Sequence, residues 1–73
     1  MSQHNQHIIA WLKAKFNLTL VWQGYPMKEY MCYCGDYDLD IPTDCGSTPI
    51  SAAMFYGLGY DERISDELER VTA

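Results

Sequence analysis

Residues 30 to 41 read Tyr-Met-Cys-Tyr-Cys-Gly-Asp-Tyr-Asp-Leu-Asp-Ile, and this run constrains the fold more than any other. Two alternating stretches separated by a Gly-Asp dipeptide are a hairpin signal. With Gly35-Asp36 as the turn, Cys34 faces Tyr37, Tyr33 faces Asp38, Cys32 faces Leu39, Met31 faces Asp40 and Tyr30 faces Ile41. Directly opposed residues share a side of the sheet. One side is then Tyr30, Cys32, Cys34, Tyr37, Leu39 and Ile41, all able to bury. The other collects Met31, Tyr33, Asp38 and Asp40. A slip of one residue would mix the two sets, so their separation favours this register.

The flanking sequence supplies the remaining elements. Ile8, Ile9, Trp11, Leu12 and Phe16 fall on one broad face at 100° per residue, which predicts a helix from Gln3 to about Phe16. Lys15 lies inside that face. Its stem is expected to pack with the ammonium reaching outward, or else to pair with an acid from the second half of the chain. Asn17 suits the left-handed position that ends a helix. Leu18 to Gln23 alternates and is rich in β-branched and aromatic residues, as a strand is, and Gly24-Tyr25-Pro26 stops it. Residues 42–48 read as a loop. Thr48-Pro49 then reads as an N-cap followed by proline at the first helical position. That helix should run to about Leu58, with Gly57 and Gly59 marking its end. It is apolar almost all round, which places it at the centre of a core or under a partner. Asp61 caps a last helix from Glu62 to about Val71, whose apolar residues are Ile64, Leu68 and Val71. The expected fold is therefore α+β, in the order α-β-β-β-α-α: an N-terminal helix, a three-stranded antiparallel sheet and two C-terminal helices. One compact domain spanning 1–73 is expected, with residues 1–5 and 72–73 frayed.

The 73 residues allow one domain, and 48% hydrophobic content supports a packed core rather than disorder. Charge is unevenly spread. Residues 1–35 carry Lys13, Lys15 and Lys28 against Glu29, a balance of +2. Residues 36–73 carry nine acids against Arg63 and Arg70, a balance of −7, which gives the overall −5. Direct nucleic-acid binding, which needs clustered Lys or Arg, is not expected. The polar start, the absence of a membrane-length apolar run and the odd number of cysteines predict a reduced, cytoplasmic chain without a disulfide framework.

Four constellations could carry chemistry. Cys32, Cys34 and Cys45, with His4 or His7, could supply zinc ligands, but an i, i+2 pair on a strand is poorly spaced for structural zinc. Buried packing is the plainer reading. Asp36, Asp38 and Asp40 imitate the first half of a calcium loop, yet Ile41 stands where Gly is needed and Ser47 where Glu is needed. Cys45 precedes a helix N-terminus, where thiolates are favoured. A nucleophile also needs a base, and His4 and His7 are the only histidines. No cofactor is expected. The fourth is an interaction face. Met31, Tyr33 and Tyr56 would be its anchors, with Phe55 beside them. Asp36, Asp38, Asp40, Glu62, Asp66, Glu67 and Glu69 would carry its charge.

The expectation is a non-enzymatic, protein-binding inhibitor that occupies the basic surface of a nucleic-acid-handling partner. It is an analogy of class with phage-encoded counter-defence proteins of the anti-CRISPR or anti-restriction type, not a motif match. The first alternative is a homo-oligomeric structural or regulatory module, such as a homodimer, motivated by the apolar helix. The second is a small metal- or thiol-site protein.

Overall fold

A computed structural model describes residues 3–72. The element order is α1 (Gln3–Phe16), β1 (Leu18–Trp22), β2 (Tyr30–Cys34), β3 (Asp44–Gly46), α2 (Pro49–Tyr60) and α3 (Glu62–Thr72). This is the expected α-β-β-β-α-α order. Helix is already formed at His4 and Asn5, and Thr72 closes α3 with its hydroxyl donating to the Leu68 carbonyl at 2.6 Å. Residues 1, 2 and 73, the outermost of those expected to fray, lie outside the described residues.

The sheet is antiparallel in the order β1-β2-β3. Leu18 stands opposite Cys34, Leu20 opposite Cys32 and Trp22 opposite Tyr30. These residues share the side covered by the helices, and all but Trp22 and Cys34 are buried there. α2 is the central element, touching all three strands and both other helices. Ala52 and Ala53, fully buried, let it lie close, and Leu12, Leu18, Ile64 and Leu68 fill the space around it. The all-round apolar pattern is thereby explained in part: Pro49, Ala52, Ala53, Tyr56 and Gly57 face the core.

Local signals account for the helix ends. Asn17 takes φ 60° after α1, and its N–H donates to the Lys13 carbonyl at 3.0 Å. The Thr48 hydroxyl accepts the Ser51 N–H at 3.1 Å while Ser51 Oγ accepts the Thr48 N–H at 3.0 Å, a reciprocal capping box ahead of Pro49. Asp61 ends α2 and caps α3, accepting the Arg63 N–H at 3.2 Å.

Two expectations are corrected. First, α2 does not stop at Leu58 but runs to Tyr60. Gly57 is there for proximity rather than termination, because a Cβ at this position would lie 2.6 Å from the Ser65 backbone nitrogen in α3. Second, the hairpin register is different. Gly35 is not the first residue of a tight turn. Its N–H donates to the Asn17 carbonyl at 2.9 Å and its carbonyl accepts the Thr19 hydroxyl at 3.0 Å. Gly35 thus extends the β1–β2 ladder by a residue, and β2 cannot fold back there. Residues 37–43 form no strand, and the third strand is Asp44–Gly46 inside the expected loop. Its partners are Gly46 with Tyr30, Cys45 with Met31 and Asp44 with Cys32.

Candidate functional site

The changed register moves the carboxylates. Asp36, Asp38 and Asp40 do not line a strand face; all are exposed on the loop between β2 and β3. The Asp38 side chain accepts the Asp40 N–H at 3.1 Å, and the Asp38 carbonyl accepts the Ile41 N–H at 3.2 Å. Aspartates stabilise such turns at the expense of strands, which is why this run leaves the sheet. Leu39, expected inside, is 87% exposed at the tip, and Tyr37 is 53% exposed. Among the described residues none of the three aspartates has a cationic partner.

On α3, Glu62, Asp66 and Glu69 follow one another at spacings of four and three and are all exposed. At 100° per residue they occupy an arc of about 60°, turned away from buried Ile64 and Leu68. The helix's two arginines do not neutralise this stripe. Arg63 forks onto Asp61, with Nη2 to Oδ2 at 2.9 Å, and Arg70 is bound to Glu67. Glu67 is separate from the stripe. It is half-buried and also accepts Lys15 Nζ at 3.2 Å, so Lys15 does pair with an acid of the second half. Lys15 also lies 6.0 Å from the Trp11 ring centroid. Hydrogen bonds from Arg70 first, and Lys15 next, hold the Glu67 carboxyl below its ordinary range, as Arg63 does for Asp61.

Gly35 is hydrogen-bonded to Asn17, and Asn17 lines a cleft of about 490 Å³ together with Lys15, Asp61 and Arg63. Of the expected anchors, Tyr33 and Tyr56 are each 7% exposed and unavailable to a partner. Tyr33 is covered by Tyr37, whose ring meets it edge-on at 5.4 Å, and Tyr56 lies in the core beside Ala52 and Leu68. Met31 is half-buried on the open side of the sheet. Phe55, expected beside the anchors, is 51% exposed, and Leu58 on α2 and Leu39 and Tyr37 on the loop are exposed apolar groups as well. Leu39 was legible only from the turn-forming aspartates on either side of it.

The thiols do not converge. Cys32 and Cys34 belong to the helix-facing side of β2, whereas Cys45, opposite Met31, points to the open side. Burial, followed by the nearby Asp44, pushes the Cys32 thiol up to about 12. Burial and then Glu29 raise Cys45, away from a reactive thiolate. Among the described residues no three His, Cys, Asp or Glu side chains gather as metal ligands. His4 and His7 are exposed on α1. No described helix is long and apolar enough to cross a membrane.

No protein-family model, curated protein or solved structure matches the chain.

Proposed function

We propose that this chain is a non-enzymatic inhibitor that binds a basic, nucleic-acid-handling protein through its acidic loop and the outer stripe of α3. One observation carries the reading: Leu39 stands 87% exposed between three carboxylates that have no cationic partner among the described residues. An exposed apolar side chain flanked in sequence by uncompensated charge matches a docking tip, where the apolar group supplies affinity and the charge supplies partner choice and encounter rate. The stripe Glu62, Asp66, Glu69 on α3 adds a second exposed run of negative charge. Its three charges span about 10 Å of helix, somewhat sparser than one phosphate per about 3.4 Å along a nucleic-acid strand. That suits a Lys- and Arg-rich surface adapted to phosphate. Phage-encoded anti-CRISPR and anti-restriction inhibitors remain the class analogy.

The experiment is capture of the partner with tagged protein from host-cell extract, followed by titration of the purified partner with variants. Asp38→Lys/Asp40→Lys should weaken binding more than about tenfold, at least 1.4 kcal/mol. Leu39→Ala should cost a similar factor, since burying a leucine is worth about 1.5–3 kcal/mol. Affinity of the native chain should fall as salt rises. A folded double mutant that binds as tightly as the native chain refutes the loop's role.

Self-association is favoured by a different observation. α2 carries no charged residue, yet Phe55 is 51% and Leu58 59% exposed. Half-exposed side chains of this size offer only about 100 Å² each. Their sum falls well short of the roughly 800 Å² per partner of a stable interface. Light scattering showing a dimer at micromolar concentration would reverse this order of preference.

A further inference from the structure

The end of the sheet nearest the start of α1 holds a cleft that the docking surface does not use. β1 and β2 set Trp22 directly opposite Tyr30, on the side covered by the helices. The next pair along the ladder, Gln23 with Glu29, is hydrogen-bonded, the Gln23 N–H donating to the Glu29 carbonyl at 2.8 Å. Trp22 and Tyr30 are therefore a non-hydrogen-bonded pair, the kind whose side chains stand closest. Their ring centroids lie 5.0 Å apart with the planes tilted by 57°, so the rings form a V. Both rings, with Asn5 and Ser47, line a cleft of about 310 Å³, and none of these four residues is charged. Two of its polar groups have no partner among the described residues. Tyr30 is only 4% exposed, yet its hydroxyl makes no hydrogen bond there. Gln23 Oε1 is the one enclosed side-chain polar atom without a partner, so the Tyr30 hydroxyl is not sealed in; it reaches solvent, and the cleft is the opening that Tyr30 lines. Trp22 is 45% exposed, and its Nε1–H donates to no described residue either. A Cβ at position 24 would stand 3.9 Å from that nitrogen, and Gly24 leaves the space open.

We propose that this cleft binds a proline-rich segment of another protein in the polyproline II conformation. Aromatic walls are what such segments dock on. The V of Trp22 and Tyr30 seats a pyrrolidine ring, while the Trp22 Nε1–H and the Tyr30 hydroxyl donate to carbonyls of the segment. Proline has a carbonyl but no N–H, so a proline-rich chain brings acceptors to a cleft that offers donors, and leaves no donor of its own unpaired. A saccharide brings a donor with every hydroxyl, and no described carboxylate lines the cleft to receive it. A phosphate calls for a cation, which this lining lacks. The polyproline II helix is already formed in the free segment, so little ordering entropy is lost on docking and a small contact suffices.

The test is titration of the full chain with decaproline, followed through the two indole N–H signals, Trp11 and Trp22, in nuclear magnetic resonance spectra. Trp22→Phe assigns the signals, and circular dichroism checks that each variant folds. The Trp22 signal should move saturably while that of Trp11, which packs against Phe16, stays in place. Tyr30→Phe keeps the ring and should weaken binding about fivefold, the net worth of one hydrogen bond. Trp22→Phe loses a donor and ring area together and should cost about tenfold. A glycine-serine decapeptide, with carbonyls but no rings, should bind at least about tenfold more weakly than decaproline. Affinity should not change with salt, because no charge lines the cleft. A Trp22 signal unmoved by decaproline overturns the proposal. So does equal binding of the glycine-serine peptide, or unchanged affinity in folded Tyr30→Phe. If maltotriose moves the Trp22 signal and decaproline does not, the cleft is a saccharide site and the proposal falls. None of these outcomes bears on the acidic loop, which contributes no residue to the cleft.

Discussion

Gly57 and Gly59 sit two residues apart in α2, and replacing each with alanine should move stability in opposite directions. Both are helical, so alanine brings the same gain at each, about 1 kcal/mol. Their surroundings differ. At Gly59 the nearest atom to an added Cβ is Asp44 Oδ2 at 3.9 Å, an ordinary contact. At Gly57 the added Cβ would lie 2.6 Å from Ser65 N, 3.1 Å from Ile64 Cβ and 3.2 Å from Ser65 Cα. Two of these atoms are backbone and cannot rotate away. α2 and α3 must separate by nearly an ångström, and overpacking of this kind costs about 2–3 kcal/mol, the upper part of its usual range. Net changes are then about +1 kcal/mol for Gly59→Ala and about −1 to −2 kcal/mol for Gly57→Ala. A domain of this length shifts by about 6 °C per kcal/mol. Gly59→Ala should melt about 6 °C above the native chain, and Gly57→Ala about 6–12 °C below it. Thermal and urea unfolding followed by far-ultraviolet circular dichroism read both. A Gly57→Ala chain that melts at or above the native temperature would refute the reasoning, because the helices would then not meet at that glycine.

Other perturbations follow from the same geometry. Glu67 has a lowered pKa, so its ion pairs stabilise the fold fully above its unfolded value near 4.5 and progressively less as pH falls through the folded value. Urea midpoints of native and Glu67→Gln chains should therefore differ at neutral pH and converge in acid. Cys32 behaves oppositely. Its thiol is raised from 9.0 to about 12, so stability should fall as pH rises from about 9 to 12, and Cys32→Ala should flatten that part of the curve. Mass spectrometry after brief alkylation of the folded chain should find Cys34 modified and Cys32 protected. Thr48→Ala removes the α2 cap and should cost about 1 kcal/mol in urea unfolding.

Much of the fold was legible because its signals are local. Asn17, Thr48-Pro49 and Asp61 each mark a helix boundary through their own chemistry, and all three helices and β1 lie where those residues put them. The third strand was not legible because distant residues decide it. Gly35 reads as a turn until Asn17 and Thr19, in another element, claim its N–H and carbonyl. Gly46 reads as a loop glycine until α2 lies against it. The candidate site inherited the same error. Counting carboxylates found the charge of the loop and of α3, but which aromatics were free depended on the register. Tyr33 and Tyr56 went under cover, while Leu39 came out. Glu67 was read as one of a set of surface acids, and only the tertiary fold, which brings the end of α1 within reach of α3, ties it to Lys15.

The close approach at Gly46 governs where the chain can be lengthened. A Cβ there would lie 2.5 Å from the Ala52 nitrogen, so β3 and α2 are held nearly in contact across the short link at Ser47 and Thr48. An extra residue in that link would displace the capping box and the strand together. The loop at Asp36–Asp40 is exposed and holds few backbone partners, and lengthening such a loop costs only a few tenths of a kcal/mol. A short glycine-serine insert beside Leu39 should therefore yield a folded chain with its tip displaced, separating the ability to fold from the ability to dock.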